Sequence, residues 1–106
     1  MSLFGFLKSP DINEGVAAFR ATQGAVLLDV RNPDEYAAGH IGGSVNLPLS
    51  AISEAAERIP DKSTPLFVYC LSGRRSSSAI GALEAMGYTN LVSIGGIRAW
   101  RGEIEK

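Results

Sequence analysis

Cysteine is nearly absent from this sequence, since Cys70 is the only one among 106 residues. One cysteine cannot form an intramolecular disulfide, and it cannot build a zinc site that needs several thiolates. We therefore expect no structural disulfide and a reducing compartment, with the cytoplasm as the default location.

The chain also lacks a large excess of either charge and any long hydrophobic run. Ten basic and eleven acidic residues give a net charge of −1, which leaves no overall attraction to nucleic acid or to an anionic membrane. No apolar run approaches the roughly 20 residues of a membrane span. The opening MSLFGFLKSP has no basic residue before its short apolar stretch and no small-residue cleavage pattern after it, so we expect no signal peptide. We expect neither a nucleic-acid partner nor a membrane partner.

What the chain does have is an ordinary globular composition. Hydrophobic residues make up 45% of the sequence and charged residues 20%. A chain of this length buries enough surface to form one core without disulfides or metals. We predict one domain over residues 11–106, preceded by an N-terminal arm over residues 1–10.

Apolar runs of strand length alternate with helical patterns along that domain. AVLLDV (25–30) and PLFVYC (65–70) show almost no polar alternation, which is typical of strands covered on both faces. Two further strands are predicted, over residues 44–47 and 89–94. The predicted helices cover residues 13–22, 33–39, 50–58 and 76–86, with a last helical turn in GGIRAW. The alternation predicts an α/β fold, an open parallel sheet of four to five strands with helices on both faces.

The ends of these helices carry typical capping residues. The predicted caps are Asn13, Asn32 and Ser50 for the first three helices, and Gly87 is the predicted terminator of the fourth. Pro33 at the first position of the second helix strengthens that prediction.

The only cysteine lies where a predicted buried strand ends, in the stretch YCLSGRRS. Ligands of open α/β sheets bind beyond the carboxyl ends of the strands. Gly73 allows the chain to wrap around the thiol, so that backbone N–H groups and the start of a helix near Ser76 face it. Arg74 and Arg75 add two cations. All these features favour a thiolate, so we predict a lowered pKa for Cys70 and a nucleophile that meets an anionic substrate.

A simpler interpretation of Cys70 is a small core residue, which is usual for a cysteine at the end of a buried strand. The glycine and the two arginines directly after it favour the reactive thiol instead. Taken alone, Arg74 is as compatible with a solvated surface charge as with a group that contacts substrate.

Three motifs in order give the chain a family resemblance. They are DVRNPDEYAAGHIGGSVNLP (29–48), CLSGRRS (70–76) and LEAMGYTNLVSIGGIRAW (83–100). Together they span nearly the whole chain, and the second is similar to C-x-S-G-x-R-S. The chain resembles single-domain rhodaneses, the thiosulfate-type sulfurtransferases.

The resemblance implies that Cys70 is the catalytic residue, which takes up a sulfane sulfur as a persulfide and passes it on. It also implies a substrate-binding loop made of Leu71, Ser72, Gly73, Arg74, Arg75 and Ser76. Arg75 matches the loop arginine of the family, whereas Arg74 falls at a variable position. The implied partners are a small anionic donor such as thiosulfate and an acceptor that is a thiol, cyanide or a protein. No metal or organic cofactor is implied.

Other residues of the motifs are expected to be framework. The resemblance makes Asp29, Arg31 and Glu35 mainly structural. The sequence departs from the family at Ser44, where alanine is frequent, and at Ile97, where an aromatic residue is frequent. Both departures are expected to affect the mouth of the pocket.

Aromatic residues and the single histidine are also expected to be structural. Trp100 and Tyr88 are predicted as core or pocket-wall residues. His40 is predicted as a hydrogen-bonding residue, although a Cys–His pair would suggest a papain-like protease.

Two rival functions stay open. A cysteine phosphatase or an arsenate reductase needs its loop arginine at position 76, where this chain has serine. A non-catalytic module would bind a partner protein, but such modules typically lack the cysteine or have an altered loop. A sulfur-carrier module would keep the cysteine and hand its persulfide to a protein, which is close to the enzyme interpretation.

Overall fold

Four parallel strands form the main sheet of the computed structural model, which describes residues 11–106. They are β1 (Val26–Asp29), β3 (Ser44–Asn46), β4 (Leu66–Cys70) and β5 (Leu91–Gly96), and they lie in the order β3-β1-β4-β5. The predicted open parallel α/β sheet is therefore confirmed, with four strands. The predicted arm over residues 1–10 lies outside the described residues.

Helices cover both faces of this sheet. The α-helices are α1 (Ile12–Ala21), α2 (Pro33–Ala38), α3 (Ala55–Arg58) and α4 (Arg74–Ala85). Two 3₁₀ helices cover Leu49–Glu54 and Ile97–Ala99. None of the helices within residues 11–106 combines the length and apolar character needed to cross a membrane.

Strand β4 shows why an uninterrupted apolar run predicts a central strand. All five of its residues are buried, and successive side chains point to opposite faces of the sheet. Leu66, Val68 and Cys70 belong to the core cluster that includes α4 residues. Phe67 and Tyr69 belong to the second cluster, which is built with α1. Cys70 therefore lies on the α4 side of the sheet, at the carboxyl end of a strand buried on both faces.

The N-cap of helix α1 lies earlier in the chain than the predicted cap at Asn13. Its N-cap is Asp11, whose carboxylate accepts a hydrogen bond from the Glu14 backbone N–H at 2.8 Å, while the Glu14 side chain accepts one from the Asp11 N–H at 3.3 Å. This reciprocal capping box satisfies two N–H groups that Asn13 would leave unbonded. The predicted cap at Asn13 is wrong, and its amide instead donates to the carbonyl of Ala99 at 3.1 Å.

The predicted helix over residues 50–58 is broken into two parts. A 3₁₀ helix with Pro48 at its N-cap precedes the short α3, and Ala51 within this 3₁₀ helix has a non-helical backbone (φ −117°, ψ 21°). Ser50 therefore does not cap an α-helix. The buried Tyr88 hydroxyl donates to the carbonyls of Ala55 and Ile59 at 2.8 and 2.6 Å, which holds α3 in place. Tyr88 is framework, as predicted.

A second, two-stranded sheet was not predicted. It pairs β2 (His40–Ile41) with β6 (Ile104–Glu105) in antiparallel orientation. Each strand has only two residues, which is too short for an alternation of polar and apolar residues to be visible.

Candidate active site

Cys70 is the last residue of β4, and only Leu71, Ser72 and Gly73 separate it from helix α4. Gly73 is the N-cap of α4 and has a φ of 107°, a conformation that other residues rarely adopt. The helix begins at Arg74 and not near Ser76, because the left-handed turn at Gly73 reverses the chain within one residue. Both arginines consequently lie in the first turn of the helix.

The sulfur of Cys70 is bonded by two backbone N–H groups at the start of α4. The Gly73 N–H donates to Sγ at 3.0 Å, and the Ser76 N–H donates to it at 3.3 Å. The first N–H groups of a helix have no partner within the helix, and they carry the positive end of its dipole. The loop therefore directs the unused donors of α4 at one sulfur atom.

These donors outweigh the effect of burial on the thiol. Burial raises the pKa of Cys70, but the N–H groups of Ser76 and Gly73, the Ser76 side chain and the Ser72 N–H lower it, and the net pKa is below the ordinary value. The direction agrees with the sequence prediction. The groups that lower the pKa most are backbone amides and not the two arginines.

Ser76 is fully buried, and its side chain forms hydrogen bonds that fix the loop. Its hydroxyl donates to the carbonyl of Gly73 at 2.9 Å and shares a hydrogen bond of 3.1 Å with the hydroxyl of Ser93 on β5. The contacts tie the loop that carries the sulfur donors to the neighbouring strand.

Arg75 is held by a carboxylate from another part of the chain. Its Nη1 and Nη2 donate to the two oxygens of Glu35 on α2, at 2.7 and 3.0 Å. This forked pair lowers the pKa of Glu35 to about 2, against the opposing effect of burial and with help from the Asn32 N–H. Glu35 accepts from one N–H of each terminal nitrogen, and among residues 11–106 no other acceptor bonds the guanidinium.

Arg74 differs from Arg75 in its surroundings. Its side chain is exposed, and no carboxylate of residues 11–106 forms a salt bridge with it. It supplies an unneutralised positive charge at the first turn of the helix whose N–H groups bond the sulfur.

Gly96, at the end of β5, lets the loop approach that strand. A Cβ on Gly96 would collide with the Leu71 carbonyl and with the Cα of Ser72. The Leu71 carbonyl accepts a hydrogen bond from the Arg98 N–H at 3.2 Å. Neither Gly96 nor Arg98 is among the residues predicted for the site, although a glycine within a strand indicates a close backbone approach.

Comparison with known proteins identifies the family. The model described as Rhodanese-like domain matches residues 13–103. The chain belongs to the rhodanese-like family.

Relatives of this rhodanese-like chain include named enzymes. It is 40% identical over 72 residues to the thiosulfate sulfurtransferase PspE of Escherichia coli (strain K12), covering 67% of this chain and 69% of that protein. It is 40% identical over 89 residues to the thiosulfate sulfurtransferase GlpE of Pseudomonas entomophila (strain L48), covering 83% of this chain and 80% of that protein. Among solved structures, a rhodanese with anions from E. coli matches with a TM-score of 0.71 and 36% identity, covering 77% of this chain and 98% of that one.

The other motif residues of this rhodanese form a buried framework. Arg31 and Asp29 make a salt bridge of 2.7 Å, and the Arg31 guanidinium also donates to the carbonyl of Gly39 at 2.7 Å. The Asn46 amide donates to the carbonyls of both residues of the pair. These contacts fix the end of β1 and fit the structural role that the resemblance implies.

The single histidine belongs to the second sheet. His40 stacks on Tyr36 with ring centroids 3.8 Å apart, and its Nδ1 lies 2.8 Å from the Tyr36 carbonyl oxygen. Within residues 11–106 the hydrogen-bond donors to Cys70 Sγ are backbone N–H groups, and His40 is not among them. The arrangement gives no support to a papain-like Cys–His pair.

The two departures from the family have different surroundings, and Ile97 lies between Gly96 and Arg98, which both contact the Leu71 carbonyl of the loop. Ser44 is buried, where its hydroxyl donates to the Ile41 carbonyl at 2.7 Å and accepts from the Tyr69 hydroxyl at 3.2 Å. Ile97 packs against the core cluster on the α1 side of the sheet. Trp100 packs on that cluster too, and its indole N–H donates to the carbonyl of Glu103 at 2.9 Å.

Proposed function

We propose that the chain is a sulfurtransferase that moves a sulfane sulfur from thiosulfate, or a similar anionic donor, to a thiophilic acceptor through a persulfide on Cys70. One observation carries the proposal: the Cys70 sulfur accepts hydrogen bonds from the N–H groups of Gly73 and Ser76 at the start of α4. The names of the relatives support the same activity.

The first half-reaction loads the sulfur. The Cys70 thiolate attacks the outer sulfur of thiosulfate, a new S–S bond forms, and the S–S bond of the donor breaks with its electron pair leaving on sulfite. The product is a persulfide anion on Cys70. The N–H groups of the loop that stabilise the thiolate also face the charge of the persulfide.

The second half-reaction unloads it. A nucleophilic acceptor such as cyanide or a thiolate attacks the outer sulfur of the persulfide, and the electron pair of the broken S–S bond returns to Cys70. The thiolate is regenerated, and the two half-reactions follow each other in ping-pong order.

The two arginines have different parts in this proposal. Arg75, oriented by Glu35, uses its remaining N–H groups to hold the donor and the departing sulfite. Arg74 adds unneutralised charge that attracts the anionic donor to the loop. Leu71, Ser72, Gly73 and Ser76 complete the substrate-binding loop through their backbone.

Location in the cytoplasm is part of the proposal because a single cysteine, which can form no intramolecular disulfide, fits a reducing compartment. A protein acceptor would make the chain a sulfur carrier, which is the same chemistry with a different second substrate.

Steady-state transfer from thiosulfate to cyanide tests the function. Thiocyanate is measured over a grid of both substrates, and we expect parallel double-reciprocal lines for the native protein. Cys70→Ser is expected to lose essentially all activity while keeping the circular dichroism spectrum of the native protein. Native-like rates in Cys70→Ser would overturn the proposal.

A further inference from the structure

A depression beside the Cys70 loop is lined by two loop residues and by three residues of another segment that the proposed donor step does not use. It measures about 270 Å³, and its lining consists of Leu71, Ser72, Gly96, Arg98 and Ala99. Leu71 and Ser72 directly follow Cys70, so the depression borders on the loop that surrounds the sulfur. Pockets for drug-sized ligands begin at about 300 Å³, so this depression suits a smaller molecule.

The position of Arg98 beside the loop is fixed by the backbone. Its N–H donates to the Leu71 carbonyl at 3.2 Å. Gly96, on the same wall, packs so closely on the Leu71 carbonyl that no side chain would fit there. The wall of the depression and the loop around the sulfur are therefore one connected piece of structure.

Arg98 also gives the depression a charge. Its side chain is exposed, and in the part of the chain that the structure describes no Asp or Glu forms a salt bridge with it. Leu71 and Ala99 line the same depression with apolar groups. The combination matches a molecule with a short apolar part and an anionic group.

We propose that this depression binds the sulfur acceptor, and that the acceptor is a small thiol with a carboxylate that pairs with Arg98. The proposal rests on the sulfurtransferase function and names the class of the second substrate. The acceptor thiol loses its proton to solvent, its thiolate attacks the outer persulfide sulfur, and an S–S bond forms on the acceptor. The S–S bond to Cys70 breaks and returns its electron pair to the Cys70 thiolate, so that no external oxidant or reductant is needed.

The test compares two thiols that differ in their charged group. Transfer from the loaded protein is measured with 3-mercaptopropionate and with 2-mercaptoethanol, for native protein, Arg98→Gln and Arg98→Lys. The acceptor ratio is the rate constant with 3-mercaptopropionate divided by that with 2-mercaptoethanol. A substitution that slows transfer to both thiols equally leaves this ratio unchanged. We expect Arg98→Gln to lower this ratio about fivefold, which corresponds to the free energy of a favourable exposed ion pair. Arg98→Lys keeps the positive charge and should keep most of the ratio.

Arg101→Gln is the matched control, because Arg101 is an exposed arginine three positions further along that does not line the depression. Its acceptor ratio should equal that of the native protein. A ratio that is unchanged in Arg98→Gln, or one that falls equally in Arg101→Gln, would overturn the role of Arg98. Slower persulfide formation from thiosulfate in Arg98→Gln, with an unchanged acceptor ratio, would assign Arg98 to the donor and also overturn it.

Loading is measured separately by intact mass, with thiosulfate and with polysulfide. Failure of both donors to load Cys70 would contradict the sulfurtransferase function itself. Normal loading with no effect of Arg98→Gln on the acceptor ratio would contradict only the acceptor site.

Discussion

At Cys70 the chemistry of one sulfur atom is set mainly by backbone groups. Its two bonded N–H donors come from Gly73, the N-cap of helix α4, and from Ser76 in the first turn of that helix. Backbone dipoles do not titrate, so this environment favours the thiolate over the whole pH range in which the fold persists. The side chain that supports these donors is the buried hydroxyl of Ser76.

Ser76→Ala tests that support. The substitution keeps the N–H donor but removes the hydroxyl that bonds the Gly73 carbonyl and that itself helps to lower the pKa of Cys70. We expect the pKa of Cys70 to rise, and persulfide formation at pH 7 to slow by about threefold to tenfold as the thiolate fraction falls. The measurement is the rate of alkylation by iodoacetamide as a function of pH.

The native profile should have its midpoint below the ordinary thiol value of about 8.5, and Ser76→Ala should move it upward. Ser78→Ala removes an exposed hydroxyl from the same helix and serves as the control. A native midpoint at or above the ordinary value would contradict the proposed thiolate environment.

At the scale of elements, the Glu35–Arg75 pair joins helix α2 to helix α4. The carboxylate has a pKa of about 2 in the folded protein and an ordinary value of 4.5. Because the folded pKa is the lower one, the pair stabilises the fold fully above the ordinary value, and the stabilisation is lost as pH falls toward 2.

Glu35→Gln tests this link in two ways. The free energy of unfolding at pH 7 should fall by about 1 kcal/mol, a modest value because both side chains are partly exposed. The difference in the free energy of unfolding from native protein should shrink between pH 4.5 and pH 2, as the native carboxyl takes up its proton.

In Glu35→Gln, Arg75 also loses the carboxylate that orients it, so KM for thiosulfate should rise about threefold.

Urea unfolding at several pH values measures the stability effect, and Glu84→Gln, an exposed carboxylate on α4, is the control. A stability difference of the same size at pH 7 and pH 2.5 would mean that the charge of Glu35 is not what links the two helices.

The elements also show which features a sequence can predict. β4 and β1 were evident because burial on both faces requires an apolar residue at nearly every position. The cap of α1 was misplaced because Asp11 and Asn13 are both good capping residues, and only the capping box between Asp11 and Glu14 distinguishes them. The segment broken at Ala51 contacts α4, and Tyr88 bonds the carbonyls of Ala55 and Ile59 that follow it; no local pattern reveals these contacts.

At the scale of the whole molecule, the site depends on contacts between distant segments. The sequence indicated Cys70, its loop and a nearby helix start, since all lie within a few residues of one another. It did not indicate that Arg75 meets Glu35, 40 positions earlier, or that Leu71 meets Gly96 and Arg98. Those contacts arise only because the parallel sheet brings the ends of β1, β4 and β5 to one edge.

The intact mass of the protein after brief exposure to thiosulfate tests the central proposal most directly. We expect native protein to gain the mass of one sulfur atom, to lose it again on addition of cyanide or a thiol, and Cys70→Ser to gain nothing. Native protein that gains no sulfur from thiosulfate or from polysulfide, with Cys70 still open to alkylation, would contradict a persulfide on Cys70. The loop would then be a binding device, and the partner-binding module would become the better explanation.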